Sequence, residues 1–178
     1  DFVMVVNPDG YVANERGEGM KRKNARGTCD NVRRNREAGI DLNRNYDFCF
    51  NADREGSSPD PCEIDYGGDK PFSEPETVAM RDFVLSRSFR VAFNYHSFGR
   101  YVYYPNSCRS KGLTKDETYF RSFAARITKE NGFKYGQPWA TNLYTVNGDA
   151  ADWMYAAKGI FAFSPEVAPA DPVPSERE

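Results

Sequence analysis

The sequence predicts an α/β domain built on a mixed, mostly parallel twisted sheet flanked by helices. Three observations lead there. Arg90-Val91-Ala92-Phe93-Asn94-Tyr95-His96, Tyr101-Val102-Tyr103-Tyr104-Pro105 and Gly159-Ile160-Phe161-Ala162-Phe163-Ser164 are short apolar runs rich in β-formers. Other segments carry apolar residues at helical spacing, opened by Ser73 and by Thr114. The two kinds of segment alternate, without the regular turn spacing of an all-β chain, and that alternation favours parallel pairing.

In chain order, Asp1 to Val6 reads as a strand already under way, and this abrupt opening raises the expectation of further sequence upstream. Asn7-Pro8-Asp9-Gly10 is turn chemistry. Arg16 to Arg36 is polar and crowded with Arg and Lys, so a long surface loop is expected there. Ile40-Asp41-Leu42-Asn43-Arg44-Asn45-Tyr46 is too polar for a core strand and too specific for a linker. Residues 51–70, rich in Gly, Ser, Pro and Asp, form a second loop held by Cys62.

Ser73 is the expected N-cap of a helix, with Pro75 in its first turn and Glu76 closing a capping box. Its apolar stripe is Ala79, Met80, Phe83 and Val84. The run to His96 reads as a buried strand that gives out into Ser97-Phe98-Gly99. Thr114 to Glu117 is a second capping box. It opens a helix with Phe120, Phe123, Ala124 and Ile127 on one face, stopped at Gly132. Tyr135 to Asn147 reads as a loop, Asp149 to Ala157 as a short helix, and Gly159 to Ser164 as a last strand with Glu166 at its end. Residues 1–167 are taken as one domain, and 168–178 as a mobile Pro- and Glu-rich tail.

A chain of 178 residues with a net charge of −2 can bury a core and has no electrostatic reason to seek nucleic acid or an anionic membrane. No apolar run reaches membrane-span length, so no membrane insertion is expected. Cys29, Cys49, Cys62 and Cys108 show no C-x-x-C spacing; the even count fits disulfides in an oxidising compartment. Three pairings are open, of which Cys29–Cys62 with Cys49–Cys108 is favoured.

Arg22, Asn43, Arg44, His96, Tyr144 and Glu166 fall at strand ends or in loops. Together they supply a metal ligand, a general base, two cations and two hydrogen-bonding groups, which is a set suited to metal-assisted hydrolysis of an anionic substrate. His96 is the only histidine in the chain.

Several segments in series carry a resemblance: Asn7-Pro8-Asp9-Gly10-Tyr11, Arg22-Lys23-Asn24, Asp41-Leu42-Asn43-Arg44-Asn45, Tyr66-Gly67-Gly68, Pro71-Phe72-Ser73-Glu74-Pro75-Glu76-Thr77, Tyr95-His96-Ser97, and Asp152-Trp153 with Glu166. In this order and spacing the chain resembles the zinc metallocarboxypeptidases, the carboxypeptidase A/B-like funnelins, from Asp1 to about Glu166. The resemblance implies a zinc-dependent enzyme that removes the C-terminal residue of peptides. It implies His96 as a zinc ligand, Glu166 as the general base toward the water, and Arg22 as the stabiliser of the oxyanion. Asn43 and Arg44 become the clamp on the substrate's terminal carboxylate, and Tyr144 a tyrosine that closes over the bound residue. Arg16, Lys21 and Arg26 compete locally for the role of Arg22. Ala151, before Asp152-Trp153, stands where the floor of the specificity pocket is expected. An apolar residue there leans toward apolar or aromatic C-terminal residues, with Asp149 close by.

The resemblance fails at one place. The family's H-x-x-E zinc pair is absent, and one imidazole does not hold catalytic zinc, which takes three protein ligands. The chain is therefore expected to be the C-terminal part of an incomplete carboxypeptidase-like catalytic domain, partnered by a missing N-terminal part. Alone it is expected to be inactive, with part of its sheet unpaired. The alternative is a non-catalytic peptide- or partner-binding relative. Nucleic-acid binding by the basic loop rests on charge alone. Cysteines and family together place the protein in a secreted or endomembrane, lysosome-like lumen.

Overall fold

The computed structural model describes residues 1–17, 20–29, 38–141 and 144–168. Its spine is β5 (Phe161–Val167), which pairs on one side with β1 (Val91–Phe93) and β2 (His96–Ser97) and on the other with β3 (Tyr101–Tyr103). β4 (Lys134–Gly136) completes the order β1-β5-β3-β4. The β1, β2 and β4 pairings are parallel and β3–β5 is antiparallel, which is the mixed, mostly parallel sheet expected.

Successive side chains of a strand point to opposite faces, and β5 uses both. Ala162 faces a core in which Val84 comes from α2 (Pro75–Leu85) and Trp153 and Met154 from α4 (Ala150–Lys158), joined by Tyr46 and Ile160. Phe163 faces a second core with Val102, Tyr104, Phe120 and Ala124, covered by α3 (Glu117–Ile127). Phe120 is fully buried, with ring centroids 5.0 Å from Phe161, 5.4 Å from Phe163 and 5.5 Å from Tyr104. α4 begins on Asp149, whose side chain accepts from the Asp152 amide. It ends on Gly159 at φ 65°, a left-handed residue that lets the chain turn straight into β5.

Several local expectations are corrected. Residues 2–6 form no strand: Phe2 and Met4 are 95% and 88% exposed, because a strand needs a ladder neighbour and none lies beside them among the described residues. Asn7-Pro8-Asp9-Gly10 is the start of α1 (Pro8–Glu15), not a turn. Asn7 caps the Gly10 amide at 3.0 Å and Pro8 sits in the first turn, residues that serve either purpose. Neither capping box forms. The Ser73 hydroxyl is engaged by Asn45 Nδ2 (2.9 Å) and by the Glu74 carboxylate (2.7 Å), so α2 starts a residue later without a side-chain cap. α3 starts at Glu117, whose carboxylate accepts from Tyr104 and Gln137 and not from a cap amide. That helix ends at Thr128, before Gly132.

The run into His96 is not a buried strand. It is broken into β1 and β2, and Val91, Phe93 and Tyr95 are exposed, because β5 is its one ladder neighbour among the described residues. In the expected α2 stripe Ala79 is exposed, while Met80, Phe83 and Val84 pack on the core. The stretch from Tyr135 to Asn147 is not all loop: it holds part of β4 and a 3₁₀ turn at Pro138–Thr141. β4 exists through pairing with β3 from a distant part of the chain, which local pattern does not carry. The basic segment is not simply a solvated face either. Lys23 and Asn24 are buried, and the Lys23 ammonium donates to the Pro61 and Glu63 carbonyls. Residues 18–19 and 30–37 of that segment, and 169–178 of the expected tail, lie outside the described residues. The disulfides are Cys29–Cys62 and Cys49–Cys108, as favoured.

Replacing Phe120 by Ala leaves a void that α3 cannot close, and we expect a loss of about 3–5 kcal/mol in urea unfolding. Phe123→Ala, at a position 37% exposed, is expected to cost well under half of that. Equal losses would count against α3 docking through Phe120.

Candidate active site

The sheet fixes one wall. In the parallel β2–β5 ladder His96 is in register with Glu166, which sets both side chains on one face where the strands run out. Ser164 is two residues before Glu166 and shares that face, and Tyr103 of β3 is in register with Ser164. Burial pushes the Glu166 carboxyl up to about 7; the Arg22 guanidinium pulls against this and the Asp149 carboxylate adds to it. Burial also holds the His96 imidazole below its ordinary value.

The second wall is a 3₁₀ turn, Leu42–Arg44, capped by Asp41, whose carboxylate accepts from the Asn43 amide at 3.1 Å. This turn is held by close backbone approach. The Arg44 carbonyl oxygen lies where a Cβ on Gly67 or Gly148 would fall (2.4 and 2.3 Å), and Gly148 has φ 63°. Asn45, fully buried, anchors the next residues through the Gly67 carbonyl (2.7 Å), Ser73 Oγ (2.9 Å) and the Thr77 hydroxyl (2.6 Å).

Asp41 is 2% exposed and gathers two cations. Arg22 Nε donates to Asp41 Oδ2 at 2.8 Å, and Arg44 Nη1 lies 3.7 Å from the same oxygen. Burial alone would raise the Asp41 carboxyl, but Arg22 and Arg44 overcome it and hold it below the usual range. Arg44 is 3% exposed, and its Nε has no hydrogen-bond partner among the described residues. Its guanidinium carbon lies 5.8 Å from the ring centre of Tyr144, itself 57% exposed.

The third wall is the start of α4. Asp149 Oδ1 accepts from Asn43 Nδ2 at 2.8 Å, and the Ala150 amide donates to Asn43 Oδ1 at 3.0 Å, so α4 orients the Asn43 amide. Asp152 is buried behind it and accepts from the Ser107 and Cys108 amides. Burial and the Asp149 carboxylate push its carboxyl well above the ordinary value.

These walls enclose a cleft of about 450 Å³, counted to its open mouth. Arg22, Asn43, Arg44, His96, Tyr144 and Glu166 all line it. Of the competitors for Arg22, Arg26 is instead paired with Glu74 at 2.5 Å. Ala151 does not line the cleft: it is 1% exposed and sits in the core with Tyr46 and Trp153. The cleft adds Tyr103, Ser107, Val146, Asp149 and Ser164. Ser164 was within reach of sequence reasoning, since strand alternation places it beside Glu166. Ser107 carried no local signal, because contacts from 42 and 45 residues away bring it in.

Among the described residues no group of three His, Cys, Asp or Glu could hold an ion, and His96 is the only imidazole in the sequence. Catalytic zinc takes three protein ligands, and the described residues do not bring such a set together.

Residues 2–177 match the family profile described as zinc carboxypeptidase. The chain is 31% identical over 177 residues to a zinc carboxypeptidase of Simulium vittatum, covering 94% of this chain and 55% of that protein. It is 32% identical over 170 residues to carboxypeptidase A1 of Mus musculus, covering 92% of this chain and 39% of that one. The fold matches the crystal structure of carboxypeptidase A from Helicoverpa armigera with a TM-score of 0.80 and 26% identity, over 96% of this chain and 42% of the other. It also matches bovine thrombin-activatable fibrinolysis inhibitor in complex with tick carboxypeptidase inhibitor, at a TM-score of 0.75 and 27% identity, over 91% and 55%. The chain thus spans about half or less of the length of these relatives, and over that span it belongs to the zinc carboxypeptidase family.

Proposed function

We propose that this chain forms part of the catalytic domain of a zinc-dependent carboxypeptidase that hydrolyses the last peptide bond of a chain with a free C-terminus. The observation that carries the proposal is Arg44: a buried guanidinium whose Nε has no partner among the described residues, beside an Asn43 amide held in place by Asp149 and Ala150, in the cleft that also contains Glu166. A carboxylate suits this arrangement because it presents two acceptors to a planar fork.

Each lining residue then has a task. Asn43 and Arg44 hold the terminal carboxylate, and Tyr144, mostly exposed at the mouth, closes over the bound residue. Glu166 takes a proton from the attacking water as its oxygen bonds to the scissile carbonyl carbon, then passes it to the departing amine nitrogen. A carboxyl near 7 suits both directions of transfer. Arg22, kept charged by Asp41, faces the oxygen on which negative charge collects. A bound zinc would supply Lewis acidity and bring the pKa of water toward neutrality, and among the described residues His96 is the ligand we assign to it. With one ligand of three the chain alone is inactive. The same fact favours a second reading, a peptide-binding relative without catalysis. The two disulfides support a secreted or endomembrane lumen as its location. No helix among the described residues is long and apolar enough to cross a membrane.

Elemental analysis of the 178-residue protein, dialysed against dilute zinc, is expected to find far less than one ion per chain. One tightly held ion per chain would overturn the single-ligand account. A blocked dipeptide with a free C-terminal carboxylate should bind more tightly than its amide, and Arg44→Ala should cut that preference by about 10- to 100-fold. A preference that survives Arg44→Ala removes Arg44 as the clamp.

Asp41 sets a pH dependence. Its folded-state carboxyl is depressed, so the stability it contributes is full above the unfolded Asp value of about 4 and is lost as pH falls through the lower folded value. Asp41→Asn should therefore destabilise by about 3 kcal/mol at pH 7, with the gap to wild type narrowing as urea titrations move below about pH 4. A gap constant with pH would show that the Asn loses something other than charge.

A further inference from the structure

We infer that Asn131 is a site of spontaneous covalent modification, the position at which the folded protein converts an asparagine, with water, to aspartate and isoaspartate. The sequence holds two Asn-Gly pairs, Asn131-Gly132 and Asn147-Gly148. A glycine after asparagine carries no side chain to screen its amide nitrogen, so in an unfolded chain both nitrogens reach the preceding carboxamide carbon. The fold separates the two pairs.

Asn131 follows the C-terminal end of α3, and both it and Gly132 are exposed. Its Oδ1 accepts from the Phe133 amide at 3.0 Å. That bond folds the carboxamide back over the Gly132 peptide and puts an N–H donor on the oxygen where negative charge develops during attack. Gly132 has φ 68°, and nothing stands where its Cβ would be, which leaves room for a five-membered ring. One backbone bond restrains the attacking nitrogen: the Gly132 amide donates to the Thr128 carbonyl at 3.1 Å. An exposed bond past a helix end opens locally, at far less cost than the fold as a whole.

Asn147 is 0% exposed. Its Nδ2, the group that must leave, donates to the Asp53 carbonyl (3.0 Å), Asp53 Oδ1 (3.1 Å) and Ser57 Oγ (3.2 Å). The Gly56 backbone closes over the carboxamide, since a Cβ there would lie 2.7 Å from Asn147 Cγ. The Gly148 amide donates to the Phe48 carbonyl, and Gly148 is packed against the Arg44 carbonyl. Reaction at Asn147 therefore waits for a large opening of the structure.

The chemistry balances with water as the only co-reactant. The Gly132 nitrogen gives up its proton and bonds to Asn131 Cγ, the Cγ–Nδ2 bond breaks, and ammonia leaves carrying the proton. Water then opens the succinimide ring at either carbonyl. Opening at the side-chain carbonyl leaves aspartate. Opening at the main-chain carbonyl leaves isoaspartate, with one more methylene in the backbone. Either product adds a negative charge, and the second lengthens the chain just before Phe133, which packs on the second core, and Lys134, which begins β4.

The test is a mass-spectrometric peptide map of the folded 178-residue protein, held for weeks at mildly alkaline pH and body temperature. The expected result is an amide-to-acid mass gain at Asn131 at least about tenfold faster than at Asn147, with the two rates becoming comparable in urea. The Asn131 rate rises with pH, because attack needs the Gly132 nitrogen deprotonated. Asn131→Gln, whose longer side chain closes a ring slowly, removes the gain at that position and leaves Asn147 as it was. Equal rates at the two sites in the folded protein overturn the inference. So does an Asn131 that stays intact in the folded protein while the urea-unfolded chain converts. A rate that does not rise with pH overturns the ring-closing route.

Discussion

The site depends on one buried carboxylate. Arg22 and Arg44 come from segments about twenty residues apart and repel each other, and each loses hydration on approaching the cleft. Asp41 lets both stay: a single oxygen takes Arg22 Nε at 2.8 Å and lies 3.7 Å from Arg44 Nη1. The charge is compensated at its source, where pairing offsets desolvation. Asp41 is itself fixed by the backbone, since its amide donates to the Tyr66 carbonyl at 2.8 Å and its other oxygen caps the turn that presents Asn43 and Arg44. One side chain thus sets the charge, the turn geometry and the spacing of the two guanidiniums.

β5 does for the acidic wall what Asp41 does for the basic one. A strand in a two-sided ladder has little freedom of register, because a slip of one residue would exchange its faces. Phe163 stacked on Phe123, with centroids 4.9 Å apart, and Ala162 against the opposite core make such a slip expensive. Ser164 and Glu166 are therefore aimed at the cleft by packing several residues away. His96 inherits the same precision through its pairing with Glu166.

How much of this was legible in the sequence follows from how local each cause is. The sheet strands other than β4, the three helices from α2 onward and the grouping of His96, Glu166, Arg22, Asn43, Arg44 and Tyr144 could be read, because each rests on a period or on short motifs in series. Asn7-Pro8 was misread since the same residues begin turns and helices. Ser73 and Thr114 looked like caps because cap chemistry is defined by spacing, while Ser73 answers to Asn45 from 28 residues away. The exposure of the His96 run was hidden for a related reason. Apolarity says that a strand has a buried face, and only the topology says how many neighbours it has.

The cleft also carries a stability cost that the rest of the fold must absorb. Arg44 Nε and Ser164 Oγ are buried without partners among the described residues, and each such group costs about 1–3 kcal/mol relative to a satisfied one. Aromatic cores on both faces of β5 supply the offset, and they lie behind the cleft, out of reach of anything that enters it. A ligand would remove this part of the cost: a carboxylate satisfies Arg44, and a hydrogen-bond donor satisfies Ser164. A cleft into which two such groups open gains by being filled, and the guanidinium among them describes the filler as negatively charged at that end.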